Sequence, residues 1–285
     1  MADVQRNEAY FASHVDSSEI DRLIVHARLR DPHVRDGLHR IGIGAGHKAI
    51  DIGCGPLGAL LVLADVIGPT GTIVGLDMDA PSLQSAGVIL CQHGLEDVRL
   101  VQANITTMSP AAVCPPGPFD VAVCSQFINN QPDPVDTLRR VAGLVRSGGH
   151  VLVQSPLLSD RHPRSEPEVP ALDKVVGWFG ELMRRRGASP DIVRNFHGLC
   201  RAAGLIEVSQ RGFFLAEATA AGTHLQAMHD AAAGVSAQIV QHSIASREEV
   251  DETLKQLQVL ATREFQVYFA GMHVELIARY REGAC

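Results

Sequence analysis

Residues 48–58 read KAIDIGCGPLG. Within them Gly53, Gly55 and Gly58 spell G-x-G-x-x-G, entered by a short apolar run that carries Asp51. Glycines at this spacing permit a sharp bend and close approach of a ligand, and the pattern serves dinucleotides and adenosyl cofactors alike. Two neighbours bear on that choice. A pyrophosphate is matched by several backbone N–H groups and a helix N-terminus, yet Pro56 deletes one N–H from the loop and Asp51 sets a carboxylate two residues before the first glycine. An anion there suits a ligand with an ammonium and a sulfonium. Asp77 follows Gly53 by 24 residues, at the end of TIVGLDMD with Met78 beside it, where an acid can accept hydrogen bonds from both ribose hydroxyls. Nicotinamide enzymes use the same device. Farther on, VQANIT sets Asn104 to meet an adenine edge and Ile105 to pack on its ring, and VAVCSQF sets the small Ser125 to let a cofactor tail approach. Asp51, Gly53, Gly55, Asp77, Met78, Asn104, Ile105 and Ser125 are the expected cofactor-binding residues. Gly58 is expected to serve close helix packing.

Turns from four separate segments must meet at one edge for this to work. Runs with strand character at 48–53, 72–77, 98–104, 119–126 and 149–155 alternate with helix candidates at 58–67, 80–93 and 134–146. Strands rich in Val, Ile and Leu on both faces, separated by single helices, predict an α/β fold with a parallel sheet and right-handed crossovers. Ahead of this core, Ile20, Leu23, Ile24, Ala27 and Leu38 recur at helical spacing and predict two short helices. After Pro156 the stretch SPLLSDRHPRSEPEVP is loop or lid material. Helices at 171–186 and 190–203, a strand at 206–217, a helical stretch at 223–262 and a closing strand at 265–280 complete the chain. The closing strand follows directly on a strand–helix unit, so it is expected to insert antiparallel at the sheet edge. The expected organisation is N-terminal lid helices over 1–44, a cofactor-binding core over 45–156, a lid and cap helices over 157–203, and closing strands over 204–285 with a helical insertion at about 218–262.

The bulk numbers narrow the class. A net charge of −7 argues against nucleic acid, because a phosphate-backbone binder displays a basic stripe. No leader-like apolar segment opens the chain and no run is long enough to span a bilayer, which predicts a soluble, cytoplasmic protein with no membrane partner. Six cysteines without any C-x-x-C predict buried free thiols and no metal site.

On these motifs the sequence resembles the class I S-adenosylmethionine-dependent methyltransferases, and within them the small-molecule group of bacterial secondary metabolism. The carriers are AIDIGCGPLGALL, TIVGLDMD, VQANI, FDVAVCSQFINNQPDP and VRSGGHVLVQSP, and the likeness extends to the N-terminal helices and to SREEVDETLKQL, so it covers nearly the whole chain. The resemblance implies a Rossmann-like, seven-stranded mixed sheet, parallel but for one inserted antiparallel strand, under a helical cap and N-terminal lid helices. It implies S-adenosyl-L-methionine as cofactor and S-adenosyl-L-homocysteine as product. It also implies Tyr10 folding over the ligand, a polar contact from His26, and acceptor contacts from Phe127, Asn129 and Asn130 in the loop after the fourth strand. Relatives often carry histidine in that loop, where this chain has the amides Asn129, Asn130 and Gln131, and aspartate in place of Asn104, whose amide can still accept from the adenine amino group. Among thirteen histidines, His162 and His229 are the candidate bases. The expected activity is methyl transfer to an oxygen, nitrogen or carbon of a mostly apolar small molecule, in a pocket walled by Leu157, Leu158, Trp178, Phe179, Phe196 and Leu225. The partner is that small molecule, and homo-oligomerisation is compatible with the sequence. The alternatives are a cyclase that keeps the fold and cofactor without methyl transfer, a nicotinamide oxidoreductase disfavoured by Pro56 and Asp51, and a non-catalytic sensor of the cofactor.

Overall fold

A computed structural model describes residues 17–110, 113, 117–159, 164–219, 223–261 and 266–283. Tyr10 and His162 lie outside the described residues, as do Cys114 and Cys285. In chain order the helix α1 (Ser17–Arg40) precedes β1 (Lys48–Ile52), α2 (Leu60–Ile67), β2 (Thr72–Asp77), α3 (Ala80–Gln92), β3 (Arg99–Gln102), β4 (Phe119–Ser125), α4 (Pro134–Ala142) and β5 (Val145–Pro156). Then follow β6 (Ser165–Glu166), α5 (Pro170–Arg185), α6 (Phe196–Ala202), β7 (Ile206–Thr219), α7 (Thr223–Gly234), α8 (Ser236–Gln241), α9 (Arg247–Ala261) and β8 (Gln266–Arg279).

The strands run β3-β2-β1-β4-β5-β8, with β7 and the two-residue β6 also paired to β8. Strands β1 to β5 pair in parallel, whereas β8 is antiparallel to both β5 and β7. This is the Rossmann-like mixed sheet of seven strands, with the antiparallel strand inserted next to the last one. Order reverses between β1 and β4, so the bend after β1 opens on the crevice where ligands of such sheets bind.

Alternating residues face the two helical layers. Val121, Val123 and Leu152 are buried toward α1, α2 and α3, while Ala122, Cys124, Val151 and Val153 are buried toward α4 and α6. The cap has its own core, in which Trp178, Phe179, Leu225, Met228 and Leu257 are buried together.

Three expectations are corrected. The region from Ser17 to Ile43 holds one helix, not two, and it runs through Pro32. An internal proline costs a helix about 3 kcal/mol, and burial of Ala27, Val34 and Leu38 against the sheet offsets that cost. The helix expected to reach 146 ends at Ala142, because Val145 already pairs with Phe119 and begins β5. Cys54, Cys124 and Cys200 are buried as expected, but Cys91 is exposed, on the outer side of the amphipathic α3.

A charged cluster fixes α1 across the sheet. Ser125 pairs with Gln154, Gln154 with Glu275, and Glu275 with Arg211, so four polar side chains line one face in a row. The Glu275 carboxylate, 1% exposed, accepts from Gln154 Nε2 at 2.9 Å and from Arg211 Nε at 2.8 Å, and it pairs with Arg40 of α1. Asp36 of α1 pairs with Arg211 at 2.6 Å. Gly37 lets the helix come this close, since a Cβ there would stand 2.7 Å from both Glu275 Oε2 and Leu152 Cδ1. Removing one side of a buried ion cluster strands the other. The double variant Arg40→Met/Arg211→Met is therefore expected to lose about 3–5 kcal/mol in urea unfolding at pH 7, and Glu275→Gln, which leaves half-exposed arginines that still pair with Asp36, distinctly less.

Candidate functional site

The bend after β1 is held from β2. The N–H groups of Gly53 and Cys54 both donate to the Leu76 carbonyl, at 2.7 and 3.1 Å. Gly53, Gly55 and Gly58 all have positive φ, at 71°, 54° and 50°, where a side chain is strained. A Cβ on Gly53 would collide with the Phe127 ring, whereas Gly55 has open space on that side. A Cβ on Gly58 would collide with the Asp51 carboxylate and stand 2.7 Å from the Cys54 carbonyl. Gly58 thus makes room for the loop's own acid, which corrects the expectation of helix packing.

Two carboxylates flank the bend. Asp51, 1% exposed, accepts from the Ala59 N–H at 2.7 Å. Asp77 accepts from the Gly55 N–H at 2.8 Å and the Asp79 N–H at 2.9 Å. Burial pushes Asp51 up to about 7; the Ala59 N–H and the Arg30 guanidinium oppose the rise, and the Asp77 charge adds to it. Burial also raises Asp77, against the N–H groups of Asp79 and Gly55. Met78 follows Asp77, and its carbonyl accepts from Gln102 Nε2 at 3.3 Å.

The third and fourth strand ends are less uniform. Asn104 Oδ1 accepts from the N–H and hydroxyl of Thr106, at 2.9 and 2.8 Å, so its carbonyl serves its own turn. Ile105 is 4% exposed and packs in the main core. Ser125 Oγ accepts from Arg30 Nε at 3.0 Å. Asn130 and Gln131 hold their loop by donating to the carbonyls of Gln126 and Phe127, at 3.0 and 3.2 Å. Asn129 Oδ1 and Ser155 Oγ are buried without a hydrogen-bond partner among the described residues, a condition that costs free energy unless a ligand answers it.

Other expectations are redistributed. His229 has its Nδ1 2.8 Å from Asp230 Oδ1 and lies beside Gln226, both on its own helix α7. Trp178, Phe179 and Leu225 belong to the core of the cap, and Phe196 to the main core, so these side chains are taken up in two separate cores rather than walling one pocket. Among the described residues no three His, Cys, Asp or Glu side chains are grouped to hold a metal, and no helix is long and apolar enough to cross a membrane.

The sequence alone does not single out Arg30, His273 or Gln126. Arg30 is 6% exposed and reaches Ser125 from α1, within range of the Asp51 charge. The signal was a polar stripe, since His26, Arg30, His33 and Gly37 recur every three or four residues on one helix face. His273, 3% exposed, shares the inner face of β8 with Glu275; two polar residues at alternate positions of an apolar strand were the clue.

Residues 43–183 match a family model described as a methyltransferase domain. A ubiquinone biosynthesis O-methyltransferase of Pectobacterium carotovorum is 36% identical over 107 residues, covering 37% of this chain and 41% of that protein. A demethylmenaquinone methyltransferase of Geobacillus is 28% identical over 117 residues, covering 41% of this chain and 48% of the relative. The chain thus spans less than half the length of each of these relatives. The crystal structure of the YcgJ protein from Bacillus superposes with a TM-score of 0.55 at 18% identity, over 88% of this chain and all of that one, which shows the shared fold.

The elevated Asp51 has a consequence for stability. Its folded value near 7 exceeds the ordinary 3.8, so between those values the folded chain holds a proton that the unfolded chain releases. Through this group stability falls as pH rises from about 4 to about 7. Asp51→Asn is expected to flatten that part of the profile, checked by urea midpoints at pH 5 and pH 8; an unchanged slope contradicts the assignment.

Proposed function

Because residues 43–183 belong to the class I S-adenosylmethionine-dependent methyltransferase family, with S-adenosyl-L-methionine as cofactor, we propose that this chain methylates an oxygen, nitrogen or carbon atom of a mostly apolar small molecule. The observation that carries this reading is the pair of carboxylates, buried Asp51 and part-buried Asp77, on either side of an open glycine bend. Bound there, the cofactor supplies an electrophilic methyl group on a cationic sulfur.

Each residue of the site has a proposed part. The backbone at Gly53 and Gly55 lets the cofactor lie against the bend, with Met78 and Ile105 beside its adenosine. Asp77 takes the ribose hydroxyls, and Asn104 offers the adenine edge its amide. Asp51 favours the cationic end, and Arg30, anchored on Ser125, answers the methionine carboxylate. Positioning the acceptor in line with the methyl group, in a site closed to water, supplies much of the rate. Phe127, Asn129 and Asn130 face that acceptor in this reading, with Tyr10 folding over the ligand. For a hydroxyl acceptor the proposed proton acceptors are His229, oriented by Asp230, and His162.

The names of the two curated relatives favour a quinone-type or phenolic ring as the acceptor class. A place in secondary metabolism rests on the sequence resemblance alone.

Calorimetry with S-adenosylhomocysteine tests the cofactor site, and Asp77→Ala is expected to weaken binding by about 100-fold or more, the value of two hydrogen bonds to a charged group. Incubation with methyl-labelled cofactor and a panel of phenols is expected to yield a labelled product heavier by one CH2. Tight uptake of a nicotinamide dinucleotide with indifference to S-adenosylhomocysteine contradicts the reading, and turnover without label transfer supports the cyclase alternative.

A further inference from the structure

His273 occupies the ligand edge of the sheet. It lies on β8 opposite Pro156, the last residue of β5, and its side chain faces α1 together with Phe213 of β7. The ring is held in one orientation. Phe213 stacks at a centroid distance of 5.7 Å, and His33 of α1 stacks on Phe213 at 3.8 Å. A bulge at Gly271, with φ 97°, turns that residue's carbonyl onto His273 Nδ1 at 3.2 Å. A carbonyl only accepts, so Nδ1 carries the proton and Nε2 presents a lone pair.

The surroundings keep the ring neutral. Burial, followed by the nearby charges of Arg30, His33 and Arg164, outweighs the Gly271 carbonyl and brings His273 down to about 3. Nε2 faces Gln126 Nε2 at 3.4 Å, a long contact in which the amide is the donor. Gln126 itself has φ 54°, uncommon for a residue with a side chain, and such outliers gather at ligand sites. Its backbone is fixed on both sides, the N–H donating to the Gln154 carbonyl at 2.7 Å and the carbonyl accepting from Asn130 Nδ2 at 3.0 Å. The strained backbone therefore delivers a partly exposed amide to a buried imidazole.

We propose that His273 and Gln126 form the specificity pair that reads a hydroxyl group of the acceptor. This rests on the reading of the glycine bend as the cofactor site. The complementarity follows from the donor and acceptor sets. A hydroxyl donates its proton to the Nε2 lone pair while its oxygen accepts from the Gln126 amide, in a region made positive by Arg30 and Arg164. A carboxylate suits the cations but meets the lone pair with its own, and an ammonium suits the lone pair but is repelled by the cations. The hydroxyl inserts between two groups that now make only a long contact, so little is lost when they part.

The test measures binding to protein saturated with S-adenosylhomocysteine, using 2-naphthol, 2-methoxynaphthalene and 2-naphthoate as probes. 2-Naphthol is expected to bind about tenfold or more tightly than either of the others. His273→Phe keeps an aromatic ring on Phe213 but has no lone pair, and it is expected to bring the naphthol to methoxynaphthalene ratio near one while S-adenosylhomocysteine affinity stays unchanged. Gln126→Met, at a partly exposed position, is expected to lower the ratio several-fold should His273→Phe not fold. Equal binding of the probes, absence of binding by all three, or a ratio that survives in the folded variants overturns the proposal. Failure of wild-type protein to bind S-adenosylhomocysteine instead removes the cofactor reading beneath it.

Discussion

Asp51 and Asp77 place two carboxylates beside one backbone bend, largely out of water and close enough for the Asp77 charge to act on Asp51. Ionising both in the free protein is unfavourable. Backbone N–H groups of Ala59, Gly55 and Asp79 and the guanidinium of Arg30 relieve part of the cost. The remaining deficit is of positive charge and of hydrogen-bond donors. A ligand with a cationic sulfur, an ammonium group and a ribose diol brings both, while a diphosphate brings neither. The glycines follow from this arrangement, because Gly58 leaves space for the Asp51 carboxylate and Gly55 leaves the ligand side open.

The long helix α1 ties the bend to the far side of the sheet. At one end Arg30 joins Ser125 and the Asp51 charge; two to three turns later Gly37 and Arg40 sit over Glu275. The same face carries His33 onto Phe213 and so steadies His273. Binding at the bend and the setting of the acceptor side thus share one rigid element, whose position is fixed by ions around a buried acid.

Much of this was legible in the residues. Central parallel strands announce themselves as short apolar runs, and β1, β2 and β4 fall within a residue of where those runs lie. Asp51, Gly53, Gly55 and Asp77 come together as their spacing predicts. What stayed hidden depends on partners distant in sequence. Glu275 meets Arg40 across 235 residues and Gln154 across 121, and Arg30 meets Ser125 across 95. No local periodicity encodes such meetings. The apolar pattern also could not tell a pocket wall from a cap's own core, which is why Trp178 and Phe179 were misassigned. Pro32 suggested a break that tertiary packing overrode, and Asn104 proved to hold its own turn.

The ionisation of Asp51 can be followed directly. Carbon-13 NMR of its carboxyl group, assigned with Asp51→Asn, follows the titration of free protein and of protein saturated with S-adenosylmethionine. A midpoint near 7 is expected in the free protein, with a shift of one unit or more downward when the sulfonium is bound, about 1.4 kcal/mol of linkage. An ordinary carboxylate midpoint in the free protein, or a midpoint that the sulfonium leaves in place, would contradict that expectation.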